Sequence, residues 1–219
     1  MARGARANAS AGSGLRVLTR LPPVVLRNDV RVEEPLRVVL GFLEAWRLEV
    51  SDPSRPASFD ESDLRLANRG GARISAAEIV AILERRRAIE RALRGIAPRA
   101  SLASRQRAVP WRTLTQLFDA FADIRGVGFS KMTKALHPKR PALIPMLDSV
   151  VHAYLEDDDL GADASFGERA LALVRGYKRD LDRNSAAVRA VRREIATRGY
   201  RLTEVRILDL LIWSVRAAA

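Results

Sequence analysis

TLTQLFDAFADIRGVGFSKMTKALHPKRPALIPMLDSVVHAYL, running from Thr113 to Leu155, is the stretch that decides how this chain folds. Leu114, Leu117, Phe118 and Phe121 recur at spacings of three and four, which predicts a helix with one apolar side. Ile124-Arg125-Gly126-Val127-Gly128 follows, and two glycines one residue apart permit positive φ and close backbone approach. A second helix opens near Phe129 and stops at His137, because Pro138 cannot continue it. A basic loop, Lys139-Arg140, passes Pro141 and Pro145, and a third helix starts near Met146 to Asp148.

A helix that begins just after Gly128 carries unpaired N–H groups in its first turn and a partial positive charge. Small residues ahead of it let an anion reach those groups, and phosphate is the natural guest. The backbone of Gly126, Val127 and Gly128, with Ser130, Lys131, Lys134, Lys139 and Arg140, forms the candidate phosphate-binding set.

Two pieces of this stretch, GVGFS (Gly126–Ser130) and PMLDSVV (Pro145–Val151), resemble the helix-hairpin-helix DNA glycosylase superfamily, its adenine-excising branch above all. The resemblance covers about a fifth of the chain. It implies that the glycine hairpin grips a DNA phosphate and that Asp148, twenty positions after Gly128, is the catalytic aspartate. It also implies an all-α architecture of two lobes, with the first and last helices paired in one lobe and DNA across the cleft. Ile124-Arg125 stands where the family usually has Leu-Pro. Bifunctional members carry a lysine two positions after the second glycine, where this chain has Ser130, with Lys131 one place out of register. The resemblance therefore implies a monofunctional enzyme. The whole chain, including its ending LTEVRILDLLIW, also looks like an uncharacterised bacterial family with no assigned activity.

The charge balance points the same way. A net charge of +12 favours polyanions, nucleic acid first and anionic membrane second. Nearly all of it is arginine in an alanine-rich chain, which genomic base composition also produces. Only four lysines occur, and three of them, Lys131, Lys134 and Lys139, crowd the hairpin. The absence of cysteine excludes disulfides, thiol catalysis, zinc–cysteine sites and a cysteine-held iron–sulfur cluster. No cofactor is expected. Neither a signal-type apolar segment nor a membrane-length run is present, so a soluble cytoplasmic protein is expected. Nothing in the sequence sets the oligomeric state.

In chain order, residues 1 to 14 lack large apolar groups and are expected to be a disordered tail, with 15 to 219 one all-α domain and 113 to 155 its hairpin lobe. Leu15 to Val30 is expected to be extended. Helices are expected from Glu33 to Leu48, after an Asp60 or Ser62 cap, and from a Ser75/Glu78 capping box to Arg94. Three more run from Asp163 to Arg183, Ser185 to Arg198 and Thr203 to Val215. The total is eight or nine helices and no convincing strand. The Glu84-Arg85-Arg86-Arg87 run reads as solvated surface. Asp157, Asp159, Asp163 and Glu168 mimic a calcium loop, but its glycine falls one place early, so a solvated acidic turn is expected and no metal.

Asp148 keeps two roles at this point. It can cap the helix that starts at Ser149, or stabilise positive charge on a sugar as a glycosidic bond breaks. His137, His152, Glu156 and Asp119 are near enough in sequence to supply an acid, and Trp46, Trp111 and Tyr154 could act as a wedge for base extrusion. Two alternatives stand beside excision: a non-catalytic helix-hairpin-helix protein that binds double-stranded DNA through its backbone, and a helical protein-interaction module.

Overall fold

The computed structural model describes residues 21–45 and 56–216. The expected tail, Trp46 and most of the loop after it lie outside the described residues. The fold is all-α. Ten α-helices occur among the described residues: α1 Pro35–Ala45, α2 Glu61–Arg69, α3 Ala76–Glu84, α4 Arg86–Arg94, α5 Trp111–Asp119, α6 Phe129–Leu136, α7 Ser149–Tyr154, α8 Phe166–Arg183, α9 Ser185–Thr197 and α10 Glu204–Arg216. None is long and apolar enough to cross a membrane.

Local chemistry sets many of the boundaries. Asp60, Ser75 and Ser165 each accept from the first turn of α2, α3 and α8, and Asp63, Glu78 and Glu168 reciprocate at the cap amide. The expected single helix from Ser75 to Arg94 is instead two, broken at Arg85, which has φ −87° and ψ 1°. No glycine or proline marks the break. The Arg85 amide bonds back to Ile82 while its carbonyl accepts from Ala88 and Ile89, so packing rather than propensity bends the chain there. The arginine run that follows is exposed as expected.

The expectation of no strand is also corrected. Val24–Val25 (β1) and Arg31–Val32 (β2) form a small antiparallel ladder. Asn28 and Asp29 turn it with φ of 55° at both residues, which these side chains tolerate. Two long-range contacts hold this hairpin. The Asn184 amide accepts from the Val25 N–H and donates to the Val25 carbonyl, both at 2.8 Å, as a neighbouring strand would. The Arg27 guanidinium reaches Asp180 at 2.8 Å and also pairs with Asp158. A Cβ at Gly176 on α8 would overlap Asp158, so this glycine makes room for the pair.

One continuous apolar core runs from Val24 to Ile212. α10 is its floor, burying Val205, Ile207, Leu208, Leu211 and Ile212, and it packs on α1, α7 and α9. α5 lies along α8, and α6 lies against α2. The first and last described helices therefore pair, as the resemblance implied.

The segment between α6 and α7 is pinned from inside. Arg140, 1% exposed, sends its guanidinium to four carbonyls, those of Pro56, Leu93, Ile96 and Lys139, each at 2.7 Å. Two of these close the C-terminal end of α4, where carbonyls lack intrahelical donors. His137 bonds the Ile144 carbonyl at 2.7 Å through Nδ1, and Thr133 on α6 accepts from the Leu147 amide at 3.0 Å. Replacing Arg140 by leucine takes a charged donor from all four carbonyls, of which that of Leu93 keeps the Ile96 amide at 3.2 Å, and we expect a loss of about 3 kcal/mol of unfolding free energy. Chemical denaturation of Arg140→Leu measures it.

Candidate nucleic-acid interface

The turn between α5 and α6 reverses its backbone at two residues. Gly126 has φ +83°, and Asp123 has φ 59°. The Val127 side chain is buried, and its amide bonds the Ile124 carbonyl at 3.0 Å, which closes the turn. Gly128 is the cap residue of α6 in extended conformation, with no side chain bonding the first turn. A Cβ at Gly128 would meet nothing within 4 Å. Among the described residues, no acceptor meets the Phe129 or Ser130 amides. The start of α6 is thus an open set of donors at the positive end of a helix.

The cations expected around this turn divide into two groups. Lys139 and Arg140 do not face outward. Lys139 is buried and pairs with Asp63 of α2 at 2.6 Å, and Arg140 holds the carbonyls described above. Both leave the phosphate-binding set, because a cation locked in the interior cannot meet a phosphate. Lys131, Lys134 and Ser130 remain half-buried on α6. Lys134 Nζ rests at 3.2 Å from the Gly71 carbonyl, two residues before the exposed Arg73. Lys131 Nζ is held by both oxygens of Glu78 on α3, at 2.6 and 2.8 Å. Arg125, at the turn itself, is exposed and makes no ion pair among the described residues. Glu78 was not foreseen at this site. Its capping box was read correctly from the sequence, but its second role as a lid on Gly126 depends on tertiary packing.

Asp148 lies downstream of the Thr133–Leu147 link and is 6% exposed. Its Oδ1 accepts from the Val150 and Val151 amides, both at 3.1 Å, so the capping role holds. Its Oδ2 accepts from the indole N–H of Trp213 at 3.0 Å. Trp213 is 38% exposed and was not singled out by sequence reasoning. The depression between β2, α1 and α10 is lined by Arg31, Val32, Glu34, Arg37, Ser214 and Val215 among others, and neither Asp148 nor the turn contributes to it.

The other candidates are engaged in structural roles. Asp119 accepts from the Gly167 amide at 2.7 Å, at the start of α8. His152 and Arg169 both bond Asp159, and the Arg169 hydrogen bonds hold that carboxyl well below its ordinary range. Asp158 pairs with Arg27 and Arg179. The acidic turn is therefore exposed as expected at Glu156, Asp157, Asp163 and Glu168, and the expectation is corrected at Asp158 and Asp159, which are held in ion pairs. Among the described residues no acidic or histidine cluster is arranged to hold a metal. Trp111 carries the Arg175 guanidinium on its face, 5.4 Å from the ring centre, and the Tyr154 hydroxyl donates to Asp180 at 3.2 Å.

Residues 41–216 match the model of a family described as Family of unknown function (DUF6308). No curated protein and no solved structure matches the chain.

Below Asp148 lies a second buried acid. Asp209 on α10 is fully buried, accepts from the Tyr177 hydroxyl at 3.0 Å, and leaves Oδ2 without a hydrogen-bond donor. Arg206 stands 3.8 Å from that oxygen, and the Asp148 charge also faces the group. Burial pushes the Asp209 carboxyl up to about 7. A raised carboxyl binds its proton in the folded state where the unfolded chain has released it. Its stabilising contribution is complete below the ordinary aspartate range, falls through it, and is gone above about pH 7. Asp209→Asn has no proton to lose. We expect its stability relative to the parent to rise as pH climbs from about 4 to about 7 and then level off, as read by urea titrations across pH.

Proposed function

We propose that this chain, which belongs to the family of unknown function that it matches, holds double-stranded DNA by its sugar–phosphate backbone at the α5–α6 turn. The observation that carries this is the bare start of α6: an extended glycine cap, open space beside it, and first-turn amides without a capping side chain. A phosphate oxygen accepting from the Phe129 and Ser130 amides meets aligned donors and the positive end of the helix. The Ser130 hydroxyl adds a contact, and Lys134, Arg125 and Arg73 add charge around it. Contacts of this kind position a duplex without reading its bases. The net charge of +12 favours the same partner.

Base excision is the second function, favoured by the spacing of Asp148 from the turn and by the Thr133–Leu147 bond that couples the two. The commitments of Asp148 weigh against it. Both oxygens already accept hydrogen bonds, and the group is nearly buried. Binding without chemistry is the better supported of the two.

Gly128→Ala separates binding from folding, because a methyl group there enters open space at an ordinary φ of −99°. We expect stability to change by less than about 0.5 kcal/mol, and duplex affinity at low salt to fall about tenfold as the methyl crowds the amides. In the parent, log K should fall with log salt by about 0.9 for each phosphate engaged. Equal affinity of variant and parent refutes the turn as the contact. Incubation with duplexes carrying mismatched or damaged bases tests excision. Abasic sites that vanish in Asp148→Asn establish it, and their absence in the parent leaves binding alone.

A further inference from the structure

Glu78 is the unexpected group at the turn. It stands at the third position of α3, where its carboxylate accepts from the Ser75 amide at 2.8 Å and the Ser75 hydroxyl accepts from the Glu78 amide at 3.3 Å. That capping box fixes the side chain from its own helix. The same carboxylate grips Lys131 Nζ with both oxygens. It also rests on Gly126 so closely that a Cβ there would overlap Oε1. Both partners are mostly covered, at 13% and 23% side-chain exposure, so water screens the pair less than it would an open surface pair.

A negative charge fixed against a turn that offers amides to an anion opposes that anion. It also cancels the ammonium that would otherwise help. A flexible lysine gains position from the pairing, because its rotamer entropy is already spent, but its charge is no longer available to a phosphate. Without Lys131, the attraction at the turn comes from the helix end and from Arg125, Lys134 and Arg73.

We propose that Glu78 is an internal competitor for the phosphate and sets the affinity of the turn by neutralising Lys131. This rests on the binding function proposed above. In this arrangement the Glu78–Lys131 pair is one neutral unit. Removing the acid leaves a net positive charge beside the amides, and removing the base leaves a net negative one. The acid thereby keeps the grip weak and readily reversible, and a positively charged partner or residue that took Glu78 away would tighten it.

A four-protein charge cycle tests the idea: parent, Glu78→Gln, Lys131→Gln and the double variant. Glutamine keeps the capping box, since its side-chain oxygen still accepts from the Ser75 amide, and thermal melts verify that each variant folds. Binding to a mixed-sequence duplex of about 20 base pairs is measured across salt concentrations. Glu78→Gln should bind about tenfold tighter at low salt, with a salt slope steeper by about one. Lys131→Gln should bind more weakly than the parent, and the double variant should return close to it. Glu78→Gln binding no tighter than the parent, or Lys131→Gln equal to it, overturns the role of Glu78 and leaves the turn as a DNA contact. Failure of all four proteins to bind duplex at low salt overturns the binding function itself, and this inference with it.

Discussion

The guanidinium of Arg140 is the interaction on which the rest depends. Four carbonyls from three separate parts of the chain converge on it: the segment before α2, the end of α4 and the loop after α6. A buried cation costs several kcal/mol to desolvate, and four short acceptors on its two terminal nitrogens are what make it tolerable, although Nε has no partner among the described residues. Because that loop is fixed at Arg140, the His137–Ile144 and Thr133–Leu147 bonds can hold fixed geometry across the segment that leads to Asp148. The turn and the acid therefore belong to one packed unit, in which Arg125, Gly126 and Gly128 are exposed and Asp148 is nearly buried.

The same residues show how a basic sequence distributes its charge on folding. Lys139 and Arg140 stand beside the glycine turn in sequence and look like DNA contacts, but they are inside the protein. Lys131 is spoken for by Glu78. What remains outside is the helix end itself and cations from three different segments, Arg73, Arg125 and Lys134. A site of this kind is a field of aligned amides more than a cluster of side chains.

Much of the architecture was legible because it follows from local chemistry. The capping box at Ser75, the proline stop after α6 and the apolar stripe of α10 are each decided within a few residues. The Asp148 cap was equally local. The bend at Arg85 was not, since nothing in its own sequence forbids helix. Nor was the β1–β2 ladder, which depends on Asn184 and Asp180 far along the chain. At the candidate site the glycines were readable from pattern, whereas Glu78, Trp213 and the burial of Lys139 and Arg140 are tertiary facts. Charge type is visible in a sequence; whether a charge reaches solvent is set by what packs against it.

Amide chemical shifts give the most direct test of where an anion is held. Titration of isotope-labelled protein with duplex DNA should move the Gly128, Phe129 and Ser130 amides first and farthest, with smaller changes along α6 and at Arg125. Unmoved amides at this turn, with the largest shifts instead around the depression between β2, α1 and α10 or on the arginine run of α4, would contradict the account.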